Sequence, residues 1–234
     1  MPEEHRNGKN GNMLKELINQ FYSDKIKDQR ERGDHFYITD AGKCPRQIYF
    51  KFKKAPRAEL EPRILRIFDE GYYTHMRLMG VLMSLGIVRA AEVRIPPQQI
   101  ISGIADAIVG LEGGKPCVVD FKSISSYGFQ ALDKPKPEHI GQIQLYMHYF
   151  KIPQGILLYE NKNTQELKEF LLEYNPGLVQ KLLEGFKVLK KQIEDNSIPS
   201  ISPELVGWPK WPCQYCEYLE LCQRVEKSKL KKLE

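Results

Sequence analysis

Apolar residues recur at helical spacing near the start of the chain. Leu14, Leu17, Ile18, Phe21 and Tyr22 predict an amphipathic helix over 13–31, after a polar, Gly/Asn-rich segment, 1–12, expected to be a loose tail. Thr39-Asp40 is a helix-capping signal ahead of a short helix over 44–52, and a longer helix is expected over about 62–85. From Ala90 the period shortens. Segments 92–95, 100–109 and 117–121 are β-favouring runs, with Gly113-Gly114 as the turn between the last two, so a meander of about three strands is expected. Helical spacing returns over 136–151. Two more strands, 155–159 and 167–172, flank the turn-like Asn161-Lys162-Asn163, and a helix follows over about 176–194. Helices around a central mixed sheet place the chain in the α/β or α+β class, with α/β expected.

The chain has 234 residues, 41% hydrophobic and 28% charged, enough for one well-buried core rather than two full domains. Four regions are expected: the tail 1–12, an N-terminal helical region 13–89, a core 90–195, and a C-terminal segment 196–234 that carries clustered cysteines and a basic end. Lys and Arg exceed Asp and Glu by 35 to 30, which permits a polyanionic partner without requiring one. No run approaches the roughly 20 apolar residues that cross a bilayer, and the N-terminus lacks an apolar signal core, so no membrane role and a cytoplasmic location are expected. In a reducing compartment, five cysteines point towards metal or redox chemistry rather than disulfides.

The candidate chemistry begins with Gly103-Ile104-Ala105-Asp106 on one strand and Asp120-Phe121-Lys122 on the next. Residues two apart on a strand share a face, so Asp120 and Lys122 lie together while Cys117, Val119 and Phe121 take the opposite side. A two-residue Gly-Gly turn would pair Asp106 with Phe121; an odd-length loop centred on Gly113 pairs it with Asp120, and the latter is expected. Two adjacent carboxylates repel each other and are best stabilised by a hard divalent cation, Mg²⁺ or Mn²⁺, that bridges to phosphate. Lys122 would then polarise the attacking water or steady developing charge. Asp-x-Lys by itself is also an ordinary charge pair at a strand end.

Three late cysteines, Cys213, Cys216 and Cys222, have C-x₂-C-x₅-C spacing, and Cys44 is the early cysteine available as a fourth ligand. Four thiolates suit either zinc or an iron–sulfur cluster. Trp208, Pro209, Trp211 and Pro212 would shield such a site, whereas Cys117 is expected in the core.

Asp106 within G-x-x-D, Asp120 and Lys122 within D-x-K, and Gln142 and Tyr146 within Q-x-x-x-Y follow one another in an order that resembles the RecB-like PD-(D/E)XK nucleases. The resemblance spans 37–224. It is to the CRISPR-associated RecB-like exonucleases and their stand-alone phage and prokaryotic relatives, which combine these motifs with one early and three late cysteines. It implies a restriction-endonuclease-like fold whose N- and C-terminal segments join at the cysteines. His75, Asp106 and Asp120 would be metal ligands, with the Phe121 backbone carbonyl completing the shell, Glu92 as a further acid and Lys122 as the catalytic lysine. Gln142 and Tyr146 would hold phosphate or orient Lys122. The one-plus-three cysteine arrangement implies a structural [4Fe–4S] cluster, with zinc as the lesser alternative. Ala105 stands where the superfamily's name has proline. The implied activity is exonucleolytic hydrolysis of DNA, single-stranded or with frayed ends, with Lys51, Lys53, Lys54 and Arg57 as candidate phosphate contacts. The alternative is a DNA-end-binding accessory subunit of a CRISPR adaptation, recombination or repair complex.

Overall fold

The computed structural model describes residues 13–27, 35–96, 100–201, 213 and 216–230. The elements run α1 (Met13–Lys27), β1 (Phe36–Tyr37), α2 (Pro45–Phe52), α3 (Pro62–Ser84), β2 (Val88–Arg94), β3 (Ile101–Ser102), β4 (Ile104–Gly110), β5 (Pro116–Ile124), α4 (Ser126–Gln130), α5 (Pro137–Phe150), β6 (Gln154–Asn161), β7 (Leu167–Glu173), α6 (Pro176–Glu194) and α7 (Leu219–Leu230). Proline opens α2, α3, α5 and α6, where its fixed φ fits the first turn and its missing N–H costs nothing. The Asn175 side chain accepts from the Leu178 amide and caps α6.

The main sheet has the order β2-β4-β5-β6-β7, with β5 and β6 parallel and the other pairs antiparallel. A parallel pair needs a crossover, and α4 and α5 supply it. Every residue of α5 from Gly141 to Met147 is buried. Gly155 lets that helix sit close to β6, since a Cβ there would lie 2.8 Å from Ile143 Cδ1. The opposite face of the sheet is covered by α3, where Leu78 and Met79 pack with Ala107, Val109, Cys117, Val119 and Phe121. Helices on both faces make the expected α/β mixed-sheet fold. The larger core joins Phe36, Ile38, Ile48 and Phe50 to Leu145, Tyr159, Phe186 and Tyr218, so residues from the N-terminal, central and C-terminal regions share one apolar interior.

Several details differ from expectation. The strand expected over 100–109 is broken at Gly103, where a Cβ would meet Ile38 Cγ1 at 2.4 Å; β3 leaves the main sheet there and pairs in parallel with β1. Thr39-Asp40 lies within a one-turn helix, Ile38–Asp40, rather than capping α2; Asp40 Oδ2 accepts from the Tyr37 amide at 2.9 Å, and Cys44 takes the cap position. The short helices α4 and α7 carry too few apolar repeats to stand out in the pattern. α1 leans on α3 through polar contacts, Tyr22 and Lys25 to Asp69 and Arg66 to Asn19, while Leu14, Leu17, Ile18 and Phe21 remain exposed. The expected tail 1–12, the end of the first helix at 28–31, and Trp208, Pro209, Trp211 and Pro212 lie outside the described residues. No helix among those described is long and apolar enough to cross a membrane.

Candidate active site

Residues 111–115 join β4 to β5, with Gly113 and Gly114 both at φ 72, a conformation that favours glycine. Ala107 stands opposite Val119 and Gly110 opposite Pro116, a register centred on Gly113 that brings Asp106 level with Asp120. On the other side, Ala91 pairs with Ala107 and Val93 with Ala105, which puts Glu92 level with Asp106. Three acidic residues therefore stand on three neighbouring strands. Glu92 adopts φ 49, a left-handed conformation that costs a non-glycine residue about 1 kcal/mol or more and that recurs at functional sites.

α3 presents His75 to this row. Its Nδ1 lies 3.3 Å from Asp106 Oδ1, and its ring stands edge-on to Phe121 with centroids 5.4 Å apart. The hydrogen bond to Asp106 holds the imidazole above its ordinary pKa against the opposing effect of burial. Asp106 Oδ2 accepts from the Phe121 amide at 2.6 Å. Asp120 is 5% exposed. Burial pushes its carboxyl up to about 6, with Lys122 pulling it down and Asp106 pushing it further up. Lys122 Nζ pairs with Asp120 Oδ2 at 2.6 Å, and no other donor among the described residues reaches that buried oxygen.

Lys122 Nζ also donates to Gln142 Oε1 at 3.1 Å, so α5 positions the lysine. Tyr146, one turn on, donates its hydroxyl to the Ile104 carbonyl at 2.6 Å and braces the start of β4; its hydroxyl is committed to the backbone. The stripe extends backwards to His139, which the sequence reading missed although it sits three residues before Gln142. His139 Nδ1 lies 2.7 Å from the Tyr159 hydroxyl, which accepts from the Lys136 amide. Burial, with Lys122 and Lys136 adding to it, lowers the imidazole to about 3, so it is neutral beside the lysine.

The four basic candidates for DNA contact lie apart from this stripe, on α2 and the residues after it. Lys51 and Arg57 both pair with Glu217, and Lys53 Nζ bonds the Ile193 carbonyl and Asn196 Oδ1. Lys54, two residues beyond α2, adopts φ 47. Three of the four thus tie α2 and its exit to the C-terminal part of the chain.

The cysteines meet in the same region. Cys213, Cys216 and Cys222 each lie within electrostatic reach of Cys44, and burial pushes their three thiols upward in pKa. Arg46, 1% exposed, donates to Cys222 Sγ at 3.3 Å, the Pro199 carbonyl at 2.8 Å and Glu226 at 2.6 Å. Cys117 is buried in the sheet core, and burial raises its thiol to about 11.

Among the described residues, no three His, Cys, Asp or Glu side chains converge closely enough to hold a metal ion as they stand. The donors take protein partners instead: Asp106 holds His75 and Phe121 N, and Asp120 faces Lys122. Chemically the set still fits a hard divalent cation, because the buried Asp120 Oδ2 meets no donor but Lys122 among the described residues and lies within electrostatic reach of a second carboxylate and an imidazole. The four thiols, with Cys44 within electrostatic reach of the other three and Cys222 held by the buried Arg46, fit a Cys₄ centre in donor type.

Among curated proteins, the CRISPR-associated exonuclease Cas4 of Saccharolobus solfataricus (strain ATCC 35092 / DSM 1617 / JCM 11322 / P2) is 29% identical over 140 residues, covering 53% of this chain and 61% of that relative, so the match spans less than two thirds of its length. Among solved structures, that of SSO0001 superposes with a TM-score of 0.52 at 21% identity, covering 88% of this chain and 94% of the other. An alkaline exonuclease from Laribacter hongkongensis superposes with a TM-score of 0.53 at 12% identity, covering 76% and 94%. At these identities the two structures establish a shared fold. The family model described as the PD-(D/E)XK nuclease superfamily matches residues 2–223, nearly the whole chain, and the protein belongs to that superfamily.

Proposed function

We propose that this protein is a Mg²⁺- or Mn²⁺-dependent DNA exonuclease acting on single-stranded or frayed ends, with a structural [4Fe–4S] cluster on Cys44, Cys213, Cys216 and Cys222. The observation that carries the reading is the buried Asp120 carboxylate, level with Asp106 on the next strand and reached at Oδ2 by Lys122 without another donor among the described residues. His75, Asp106, Asp120 and the Phe121 carbonyl would hold the cation, with Glu92 level with Asp106 on the next strand. A bound divalent ion supplies positive charge at the scissile phosphate and makes a bound water more acidic. Lys122, steered by Gln142, carries a proton-bearing cation to the same place and steadies charge as it develops on the phosphate. Neutral His139 adds no second positive charge beside Lys122.

The name of the Saccharolobus relative supports the exonuclease reading and a link to CRISPR adaptation proteins as partners. Labelled single-stranded and duplex DNA incubated with pure protein and Mn²⁺ tests it: processive shortening from an end is expected, and Asp106→Ala, Asp120→Ala and Lys122→Ala should each abolish it. Tight end-binding without cleavage by the folded protein would replace the enzyme by the DNA-end-binding accessory. A brown colour with absorbance near 400 nm is expected from the [4Fe–4S] cluster, and colourless protein that retains zinc would assign the lesser alternative.

A further inference from the structure

α3 carries more than the imidazole of the candidate metal site. Phe68, Tyr72, His75 and Met76 recur at four-, three- and one-residue steps, which places them within an arc of about 100° on one helix face. His75 turns inward to Asp106, whereas Phe68 and Tyr72 are both 59% exposed and Met76 is 49% exposed. Neighbouring large apolar side chains left open on one helix face mark a binding surface. Their location says what binds there. The strip ends one turn from the imidazole that touches Asp106, and a strand whose phosphate reaches Asp106 and Asp120 is continuous with it. Phe68 and Tyr72 are about 6 Å apart along the helix axis, close to two base-stacking steps of about 3.4 Å. Tyr73 meets the Tyr72 ring edge-on, with centroids 5.8 Å apart, and so limits its swing. Lys162, whose Nζ is anchored 3.1 Å from the Ile67 carbonyl, sets a cation next to the far end.

We infer that Phe68 and Tyr72 form a stacking track that takes an unpaired base of a single strand between their rings as its phosphate enters the carboxylate site. The track rests on the nuclease reading for the identity of its occupant. It is selective for unpaired bases, because a base stacked in a duplex has both faces covered and offers none to an aromatic ring. Phosphate contacts can bind either form; aromatic faces give a preference for the single strand.

The test is equilibrium binding of a fluorescent oligothymidine in EDTA, so that no strand is cut, alongside the same backbone made abasic. Phe68→Ala and Tyr72→Ala should each weaken oligothymidine binding about fivefold to a hundredfold, with abasic binding unchanged. Tyr72→Phe should bind as the native protein does. Tyr72→Leu, which keeps apolar area and helix propensity but not a flat ring, should behave like Tyr72→Ala, so a loss caused by misfolding is told apart from a loss of stacking. Equal native affinity for the base-bearing and abasic strands would overturn the track. So would Ala variants that bind oligothymidine normally, or that change the oligomeric state of the protein rather than its affinity for DNA, since the strip would then be a protein interface. Because binding is read without cleavage, a protein that stacks bases but never cuts would sink the nuclease reading alone, and one that cuts normally with unaltered base dependence would sink only the track.

Discussion

Asp120→Asn should make the metal-free protein more stable at alkaline pH while abolishing cleavage. The native carboxyl is buried, and its pKa rises from the ordinary 3.8 to about 6. The unfolded chain therefore ionises this group first, and between those two values the folded state binds more protons than the unfolded one. Stability contributed by the protonated group is fully present below about pH 4 and is lost as pH rises through about 6. The rise from 3.8 to about 6 corresponds to about 3 kcal/mol, the cost of a buried charge that Lys122 only partly offsets. Asparagine keeps the shape and removes the charge, so it escapes that loss. For a chain of this length, about 3 kcal/mol is about 6–12 °C in the thermal midpoint. The assay is thermal unfolding in EDTA at pH 5 and pH 8. Native protein should lose stability between the two, whereas the variant should change much less and be the more stable at pH 8. Adding Mn²⁺ at pH 8 should raise the native midpoint but not that of Asp120→Asn, because only the native site gains from binding. A variant less stable than the native protein at pH 8 in EDTA, or parallel pH profiles for the two, would refute the reasoning.

Lys122→Ala should lower cleavage by more than about a hundredfold with the fold intact by circular dichroism, and Gln142→Ala should cost less because it removes only the group that aims the lysine; equal losses would show that Gln142 itself meets the substrate. Gly103→Ala should destabilise the protein by about 1–3 kcal/mol in urea unfolding, since the new Cβ meets Ile38 Cγ1 at 2.4 Å, and the loss in a Gly103→Ala, Ile38→Ala double variant should be smaller than the sum of the two single losses. Cys44→Ser should yield pale, protease-sensitive protein, because it severs a tie between α2 and the C-terminal segment, while Cys117→Ser should stay coloured and active; the converse pattern would assign the fourth ligand to Cys117.

Much of the fold was legible in the sequence because its signals are local. Proline at the first turn of four helices, glycines at the β4–β5 loop and two-residue alternation along β5 set element type and boundaries without help from distant residues. The register that levels Asp106 with Asp120 was legible for the same reason: the loop is short and its centre is a glycine. The order Asp106, Asp120, Lys122, Gln142 was enough to resemble a family. Other features depend on residues far apart in the chain. The break at Gly103 exists because Ile38, more than sixty residues earlier, occupies the space a side chain would need, and no local pattern records that. The tyrosine of Q-x-x-x-Y shares a helix face with Gln142, yet the start of β4 lies within reach of its hydroxyl and takes it, while Gln142 reaches Lys122. Lys51, Lys53 and Arg57 look like a phosphate-binding patch as a run of charges; the C-terminal segment folds back and claims them. In α1 the apolar stripe is plain in the sequence, but helical spacing says only which residues share a face. Whether that face is buried is decided by what packs against it, and here the polar contacts with α3 turn Leu14, Leu17, Ile18 and Phe21 outward.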